Sequence, residues 1–370
     1  MKKKLVIAGG GHAHMQALAE LGRFVEKGHE VTVIGPSDHH YYSGMGPGML
    51  GGSYRPEEIR FATRQVAEKA GARFMLAKVE KIDPAAQYVH CDNGERLSYD
   101  VLSCNLGSQV PEEMVSGPLD DVFLVKPIER LLEARKRILE RGAVSALRIG
   151  VIGGGPSAVE IAGNLWRIGQ EPAMKPLSLT VFAGRTLMPD HPRGVRQRAW
   201  KSLVSRGITI ADNSRITGIR SGEVTDAKGT KHSFDIIFVA IGVRPSRVFA
   251  QSGIATGPDG GMLVNRYLQS TAFGNIFGGG DCISFAEGPL DKVGVYAVRQ
   301  NPVLVHNLMA ALEGTEMQAF VPGGQYLLIF NLGDGNGILY KWSLLLGGRL
   351  AFFIKDYIDR KFMRHFQAIE

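Results

Sequence analysis

Cysteine is scarce in this chain: Cys91, Cys104 and Cys282 are the only three in 370 residues. That number excludes a disulfide framework and fits a reducing compartment. None precedes Cys91, so the N-terminal part of the chain holds no dithiol. Long apolar runs are missing too. No stretch reaches the roughly 18 residues that a membrane-spanning helix needs. The opening MKKKLVIAGGG has the charged head of a signal peptide, but its apolar run, Leu5 to Ala8, gives way to glycine and reads as a first strand. The chain is therefore expected in the cytoplasm, with any membrane contact peripheral, on the inner face of the cell membrane. Basic tracts are short, none extending beyond Lys2-Lys3-Lys4, and no aromatic residues interleave them. The net charge of +7 suits anionic partners such as nucleotides or acidic headgroups. Nucleic acid is not expected.

What is present is glycine, 47 residues of it, placed in a pattern that repeats. KLVIAGGGHAH opens the chain, and LRIGVIGGGPSA recurs at Leu147. Each is an apolar strand-like run, a glycine cluster, a helix-like segment and a second strand (HEVTVIG, LSLTVFAG). That is a β-α-β unit twice over. A second echo follows: YDVLSCNLG (Tyr99–Gly107) matches FDIIFVAIG (Phe234–Gly242), each preceded by a hairpin turning at Asn93-Gly94 or Lys228-Gly229. The expected fold is α/β, with two Rossmann-like domains and a C-terminal α+β tail. Residues 1–110 and 245–320 would form one discontinuous domain, 111–244 the inserted second, and 321–370 the tail. Ser108–Pro127 reads as the linker, and a helix is predicted over about Ile128 to Arg141.

The chemistry of the clusters is phosphate binding. Glycines allow the tight turn from strand to helix and let the backbone approach a pyrophosphate, which meets the free N–H groups of the helix start. The first cluster is Gly9-x-Gly11-x-x-His14, where His14 replaces a third glycine and is expected to push the helix off or tilt it. The second is Gly153-x-Gly155-Pro156-x-x-Val159-Glu160. The acid that holds a ribose after the second strand is missing from both units. Gly35-Pro36-Ser37 stands in the first, leaving Ser37 or Asp38 as substitutes, and Ala183-Gly184-Arg185 in the second. Loss of that carboxylate removes repulsion against a 2′-phosphate, with which Arg185 would pair; Arg185 is equally readable as a solvated surface residue. A third signal, Asn275-Ile276-Phe277 into Gly278-Gly279-Gly280-Asp281, sets a carboxylate where it suits a sugar-alcohol hydroxyl.

In this order the motifs resemble the two-dinucleotide-binding-domain flavoproteins, the pyridine nucleotide–disulfide oxidoreductases. The chain is most similar to the branch of type II NADH dehydrogenases and sulfide:quinone oxidoreductases, and to the flavoprotein domain fused to some selenophosphate synthetases. YYSGMGPGMLGG (Tyr41–Gly52) and VYAVRQNPVLVHNL (Val295–Leu308) carry the likeness. The resemblance implies FAD on the first domain, with Gly9 and Gly11 at its pyrophosphate and Asp281 at its ribityl chain. It adds His12, Ala13, Ser37, Ser43, Gly44, Pro47, Val79, Gly107, Gly280, Val295 and Tyr296 as FAD contacts. It implies NADH or NADPH on the second domain, with Gly153, Gly155, Pro156, Ser157, Arg185 and Gly242 as contacts. Glu160 is the residue expected between nicotinamide and flavin. Without a dithiol, electrons would pass from flavin straight to an external acceptor, a quinone or similar molecule. The Gly44–Gly52 loop would cover one flavin face. The Ala-Gln-x-Ala of type II dehydrogenases is absent, Gly294-Val295-Tyr296-Ala297 standing there. Sulfide- or selenium-linked oxidation and a non-catalytic flavin-binding sensor are the rival readings.

The tail carries Leu350, Ile354, Ile358, Phe362 and Phe366 at a spacing of four, with Phe353 and Tyr357 beside them. That is an amphipathic helix. Lys355, Arg360, Lys361 and Arg364 are expected on its basic outer face. Its apolar stripe would meet an anionic membrane, a second subunit or the protein's own core. His12, His14, His39 and His40 cluster in sequence without cysteine or paired carboxylates, so no metal is expected. His12 is placed beside the pyrophosphate.

Overall fold

The structure, a computed structural model, describes residues 1–370. Two parallel five-stranded sheets share one plan. In the first the order is Ile276–Gly278, Val101–Cys104, Lys4–Ala8, Glu30–Gly35, Arg73–Leu76. In the second it is Val122–Leu124, Ile236–Val239, Leu147–Ile152, Leu177–Phe182, Thr209–Ala211. The strands are buried apolar runs, as a parallel sheet covered on both faces requires. The two halves of the second echo, Val101–Cys104 and Ile236–Val239, take the same place, each pairing with the strand that precedes a glycine turn. Each sheet has its own core, of 46 and 45 buried residues.

Three-stranded antiparallel sheets hang from both: Val79–Asp83, Tyr88–Cys91, Arg96–Ser98, and Ile216–Arg220, Glu223–Asp226, Lys231–Ser233. Their hairpins turn at Gly94 and Gly229, both at φ +81, where glycine carries no Cβ penalty. The helix predicted from Ile128 runs Glu129–Gly142. The stretch read as a linker is more ordered than expected. Ser108–Gln109 pairs with Arg244–Pro245, and Val122–Leu124 becomes an edge strand of the second sheet.

Three expectations change. After Gly11 the chain makes a 3-10 turn, His12–His14, then two short helices, Met15–Ala19 and Leu21–Glu26, in place of one continuous helix. The His14 imidazole does not wedge the turn open. It is folded into the core, its Nδ1 bonded to the Gly9 carbonyl (2.6 Å) and its Nε2 to Ser103 Oγ (2.7 Å). The Gly44–Gly52 stretch is no loop: Ser43–Met45 is a 3-10 turn and Gly46–Leu50 a buried helix. Two of its glycines leave room for protein, since a Cβ on Gly48 would meet the Tyr54 ring at 2.4 Å and one on Gly51 would meet Asn164 Oδ1 at 2.3 Å.

The tail forms a three-stranded antiparallel sheet, Leu328–Asn331, Gly337–Lys341 and Leu344–Gly348, and a helix, Arg349–Gln367. It lies against the helix after the second glycine turn, so closely that a Cβ on Gly163 would meet the Leu332 carbonyl at 2.2 Å. The tail helix faces the opposite way from the expectation in part. Lys355 and Asp359 are buried on its inner face beside Ala351, Met363 and Phe366. Leu350, Phe353, Tyr357 and Ile358 face out.

Candidate active site

One continuous cleft of about 2360 Å³ runs between the two sheets and the tail. Typical small-molecule pockets hold about 300–1,000 Å³, so this one accommodates more than a single small ligand. Gly9, Gly11, His12, Ser37, Ser43, Gly44, Pro47, Val79, Gly107, Gly280, Asp281 and Val295 line it from the side of the first sheet and the adjoining turns. Pro156, Ser157 and Glu160 line it from the second. Six expected contacts do not. Ala13 is fully buried beneath the turn, and Tyr296 makes an edge contact with Tyr326, which lines the cleft in its place. Gly153, Gly155, Arg185 and Gly242 lie outside the cleft wall. Gly153 shapes the second turn, with its missing Cβ aimed 2.1 Å from the Ala240 carbonyl. Nothing would meet a Cβ on Gly155 or Gly242, so both stand in open space. The Arg185 side chain is 73% exposed and pairs with Asp190 at 3.2 Å. Of the two ribose substitutes, Ser37 reaches the cleft, whereas Asp38 accepts from Arg64 Nε at 2.7 Å.

Asp281 is fixed by residues far away in sequence. Its Oδ2 accepts from Ser108 Oγ (2.7 Å) and from Lys126 Nζ (2.8 Å). Burial pushes this carboxyl up, but Lys126 and Ser108 more than offset it and hold it below its ordinary value. The Gly280 N–H donates to Gln300 Oε1 (2.7 Å), which anchors the turn to the helix Gly294–Glu313. That helix begins at the cleft without a side-chain cap, so its first N–H groups remain available.

A second cluster sits where the tail closes the cleft. Lys355 Nζ donates to the Gly44 carbonyl (2.7 Å) and to Asp359 Oδ2 (2.5 Å), and the Tyr42 hydroxyl donates to Asp359 Oδ1 (3.1 Å). Glu160, half-buried at the cleft wall, accepts from the Asn331 N–H at 2.7 Å. Burial raises its carboxyl to about 7 against the pull of Lys355. Burial likewise raises Asp359 against Lys355, while Asp359 and Glu160 outweigh burial at Lys355 and keep that ammonium charged.

Sequence reasoning missed Lys126, Ser108, Lys355, Asp359, Asn105 and Thr63. Asn105 follows the echoed strand directly, a signal that was readable. Ser108, Lys126 and Thr63 sit in stretches without a motif, and Lys355 and Asp359 lie on the tail helix, whose covered face the apolar spacing does not identify.

The residues fit FAD. Four buried polar atoms that line the cleft have no partner in the chain: Thr63 Oγ1, Asn105 Nδ2, His12 Nε2 and His40 Nε2. Buried polar groups are nearly always paired, so the cleft is built for a polar ligand. The missing side chains at Gly10 and Gly11 let Thr63 and Asn105 pack onto the turn, since a Cβ there would press on them at 3.0 and 2.7 Å, and so set their orphaned atoms beside it. Paired Rossmann-like sheets around one such cleft define a flavoprotein oxidoreductase of the two-dinucleotide type.

Residues 3–311 match the pyridine nucleotide-disulphide oxidoreductase family, and the chain belongs to it. A type II NADH:quinone oxidoreductase of Staphylococcus aureus is 25% identical over 97% of this chain and 95% of its own. The sulfide:quinone oxidoreductase of Aquifex aeolicus superposes with a TM-score of 0.80 at 18% identity, covering 100% of this chain and 92% of that one. NDH2 from Plasmodium falciparum, solved with NADH, gives 0.81 at 14% identity, covering 99% and 100%. FAD is the cofactor and a nicotinamide nucleotide the substrate, which makes the chain an NAD(P)H-linked flavin oxidoreductase. No helix is long and apolar enough to cross a membrane.

Proposed function

We propose that the chain takes electrons from NADH or NADPH and passes them to a quinone or similar small acceptor without a dithiol relay, as a dehydrogenase that docks on the membrane surface. The observation that carries this is the shared cleft: the turn at Gly9–Gly11 and the helix start at Pro156–Ser157 open into the same space, and Glu160 lines it. FAD, when bound, supplies the two-electron chemistry that couples donor to acceptor. The chain's residues do the rest. Gly9 to Gly11, Ser37 and Asp281 hold and orient the cofactor. The start of Gly294–Glu313 sets its positive dipole end at the cleft, where it favours negative charge. Glu160, poised near neutral pH, holds or releases a proton at its carboxyl, and Lys355 fixes a positive charge beside it. No thiol joins in. Cys104 and Cys282 are fully buried outside the cleft, and burial pushes the Cys282 thiol up to about 12.

The test is anaerobic titration of the purified yellow protein. Bleaching by NADH or NADPH and reoxidation by menadione is the expected outcome. Bleaching by sulfide alone would move the reading to sulfide oxidation, and a yellow protein inert to every donor would leave a sensor.

The outward face of the tail helix supports the docking. Leu350, Phe353 and Tyr357 are each more than half exposed, and Trp342 and Leu344 extend the patch. Arg349, Lys361 and Arg364 are exposed on the same helix. Apolar residues flanked by cations suit an anionic lipid surface. Replacing Phe353 and Tyr357 by Glu is expected to lower co-sedimentation with phosphatidylglycerol vesicles about tenfold. Equal sedimentation of both proteins, or a dimer broken by the same changes, would overturn the docking.

A further inference from the structure

The two sheets keep separate cores, and the chain crosses between them through two stretches that pair with each other, Ser108–Gln109 with Arg244–Pro245. A charged contact joins the sheets beside this crossing. Lys126 belongs to the second sheet, two residues past its edge strand Val122–Leu124. Asp281 belongs to the first, in the turn Gly280–Cys282 that follows its edge strand Ile276–Gly278. Lys126 Nζ lies 2.8 Å from Asp281 Oδ2, and both residues line the cleft. Ser108, on the first crossing, closes the triangle: its Oγ accepts from Lys126 Nζ (2.9 Å) and donates to Asp281 Oδ2 (2.7 Å).

Both donors therefore hold the same oxygen of Asp281, and no donor of the chain engages Oδ1. A carboxylate held in this way has its orientation fixed and one oxygen free for a ligand. An ionised acceptor binds a hydroxyl about twice as strongly as a neutral one. Lys126 also keeps this acceptor ionised. Burial pushes the Asp281 carboxyl up, and Lys126 with Ser108 brings it below its ordinary value.

The other groups that face Asp281 do not replace that charge. His12, from the first turn, is brought down to about 4 by burial and is neutral at neutral pH. The adjacent Cys282 thiol is pushed up to about 12 by burial. On the helix Gly294–Glu313, Gln300 engages the Gly280 N–H, and Arg299 is turned to the carbonyls of Pro322 and Gly324. Arg244, on the second crossing, pairs with Glu113 at 2.8 Å, and Lys292 pairs with Asp259 at 2.7 Å. We propose that Lys126 is a positioning residue of the cofactor site, supplied by the second sheet: with Ser108 it clamps one oxygen of Asp281 and aims the other at a hydroxyl of the FAD sugar-alcohol chain. The inference rests on the placement of Asp281 at the cofactor given above. It adds that the first sheet holds its cofactor with a charge borrowed from the second.

The test is ultrafiltration of holoenzyme over a series of pH values, with released FAD measured in the filtrate. Wild-type retention is expected to be flat from about pH 8 to about pH 5, where Asp281 stays ionised. Lys126→Met is expected to raise the FAD Kd about tenfold at the upper end. Without the ammonium, burial lets Asp281 take up its proton at a higher pH, so the loss should deepen about threefold more towards the lower end. Lys126→Arg, which keeps the charge, is expected to restore the flat profile and most of the affinity. His12 and His40 also lie within reach of the Lys126 charge, so the control is Asp281→Asn in the Lys126→Met background. The pH dependence should vanish there; its persistence would assign it to the imidazoles and overturn the proposal. An equal, pH-independent loss in the Met and Arg variants would make Lys126 a packing residue and overturn it as well. Should Lys126→Met fail to fold, Lys126→Gln, which keeps a neutral donor, carries the test with the same expected slope. Wild-type retention in Asp281→Asn alone would sink the placement of Asp281 at the cofactor. A tenfold loss there beside wild-type retention in Lys126→Met would leave that placement standing and overturn the role of Lys126. No electron donor or acceptor is added, so the result is independent of the dehydrogenase reading.

Discussion

The two glycine turns begin alike and end differently. Gly9 (φ +95) and Gly153 (φ +140) both aim a missing Cβ at the carbonyl that follows the neighbouring strand, Asn105 at 2.2 Å and Ala240 at 2.1 Å. Beyond that point they part. The first turn is roofed by Thr63, Asn105 and His12, and its helix is broken at Glu20. The second runs into an unbroken helix, Pro156–Ile168, with proline in its first turn and Gly155 in open space. Proline costs nothing at a helix start, where its absent N–H would have no partner. An enclosed turn suits a cofactor that stays, and an open one suits a nucleotide that comes and goes, and that is the division of labour proposed for the two.

The sharpest way to break that comparison is to make the same change in both turns. Gly9→Ala and Gly153→Ala each force a positive φ on a residue with a Cβ and drive it into a backbone carbonyl. Each change costs about 3 kcal/mol, somewhat over a hundredfold in affinity. Gly9→Ala is expected to purify without flavin. Gly153→Ala is expected to stay yellow but resist bleaching by NADH and NADPH. The flavin-to-protein ratio and anaerobic spectra decide, and two variants with the same defect would erase the distinction between the turns.

Glu160 lines the cleft that both turns open on, and its removal comes next in size. Glu160→Gln keeps the acceptor oxygen for the Asn331 N–H and loses the titrating proton. Turnover is expected to drop about a hundredfold, a general acid–base effect. The wild-type inflection of kcat near pH 7 should vanish with it. Stability gives an independent readout. Burial raises the folded carboxyl above its ordinary value, so the native state holds more protons than the unfolded chain between about 4.5 and about 7. Wild-type stability contributed by this group is therefore present at low pH and is lost as pH climbs through that window. The variant should lack this decline when Tm is followed against pH. A wild-type-like pH profile in the variant would remove Glu160 from the site.

What could be read in advance follows the same line between local and distant causes. The turns, the hairpins at Gly94 and Gly229 and the matching strands were legible because each is written in adjacent residues. Asp281 was legible for the same reason. Its partners were not, since Lys126 and Ser108 reach it from 155 and 173 residues away, out of a stretch with no period. Lys355 and Asp359 were misplaced for a different reason. The spacing of apolar residues identifies a helix but not which face the rest of the protein covers. Here the covered face carries a buried ion pair, and the aromatic face is left outside.

The smallest expected effect concerns the nucleotide proposed for the open turn. No acid follows Leu177–Phe182 to repel a 2′-phosphate, and Arg185 stands three residues beyond the strand. Its pair with Asp190 is solvent-exposed, and such pairs are worth about 0–1 kcal/mol, so little holds the guanidinium away from a phosphate. Arg185→Ala is expected to raise KM for NADPH about tenfold and leave KM for NADH unchanged. Asp190→Ala, which frees the guanidinium, should lower KM for NADPH slightly. Equal shifts for both nucleotides would show that Arg185 is a solvated surface residue, and that the open turn reads only the pyrophosphate.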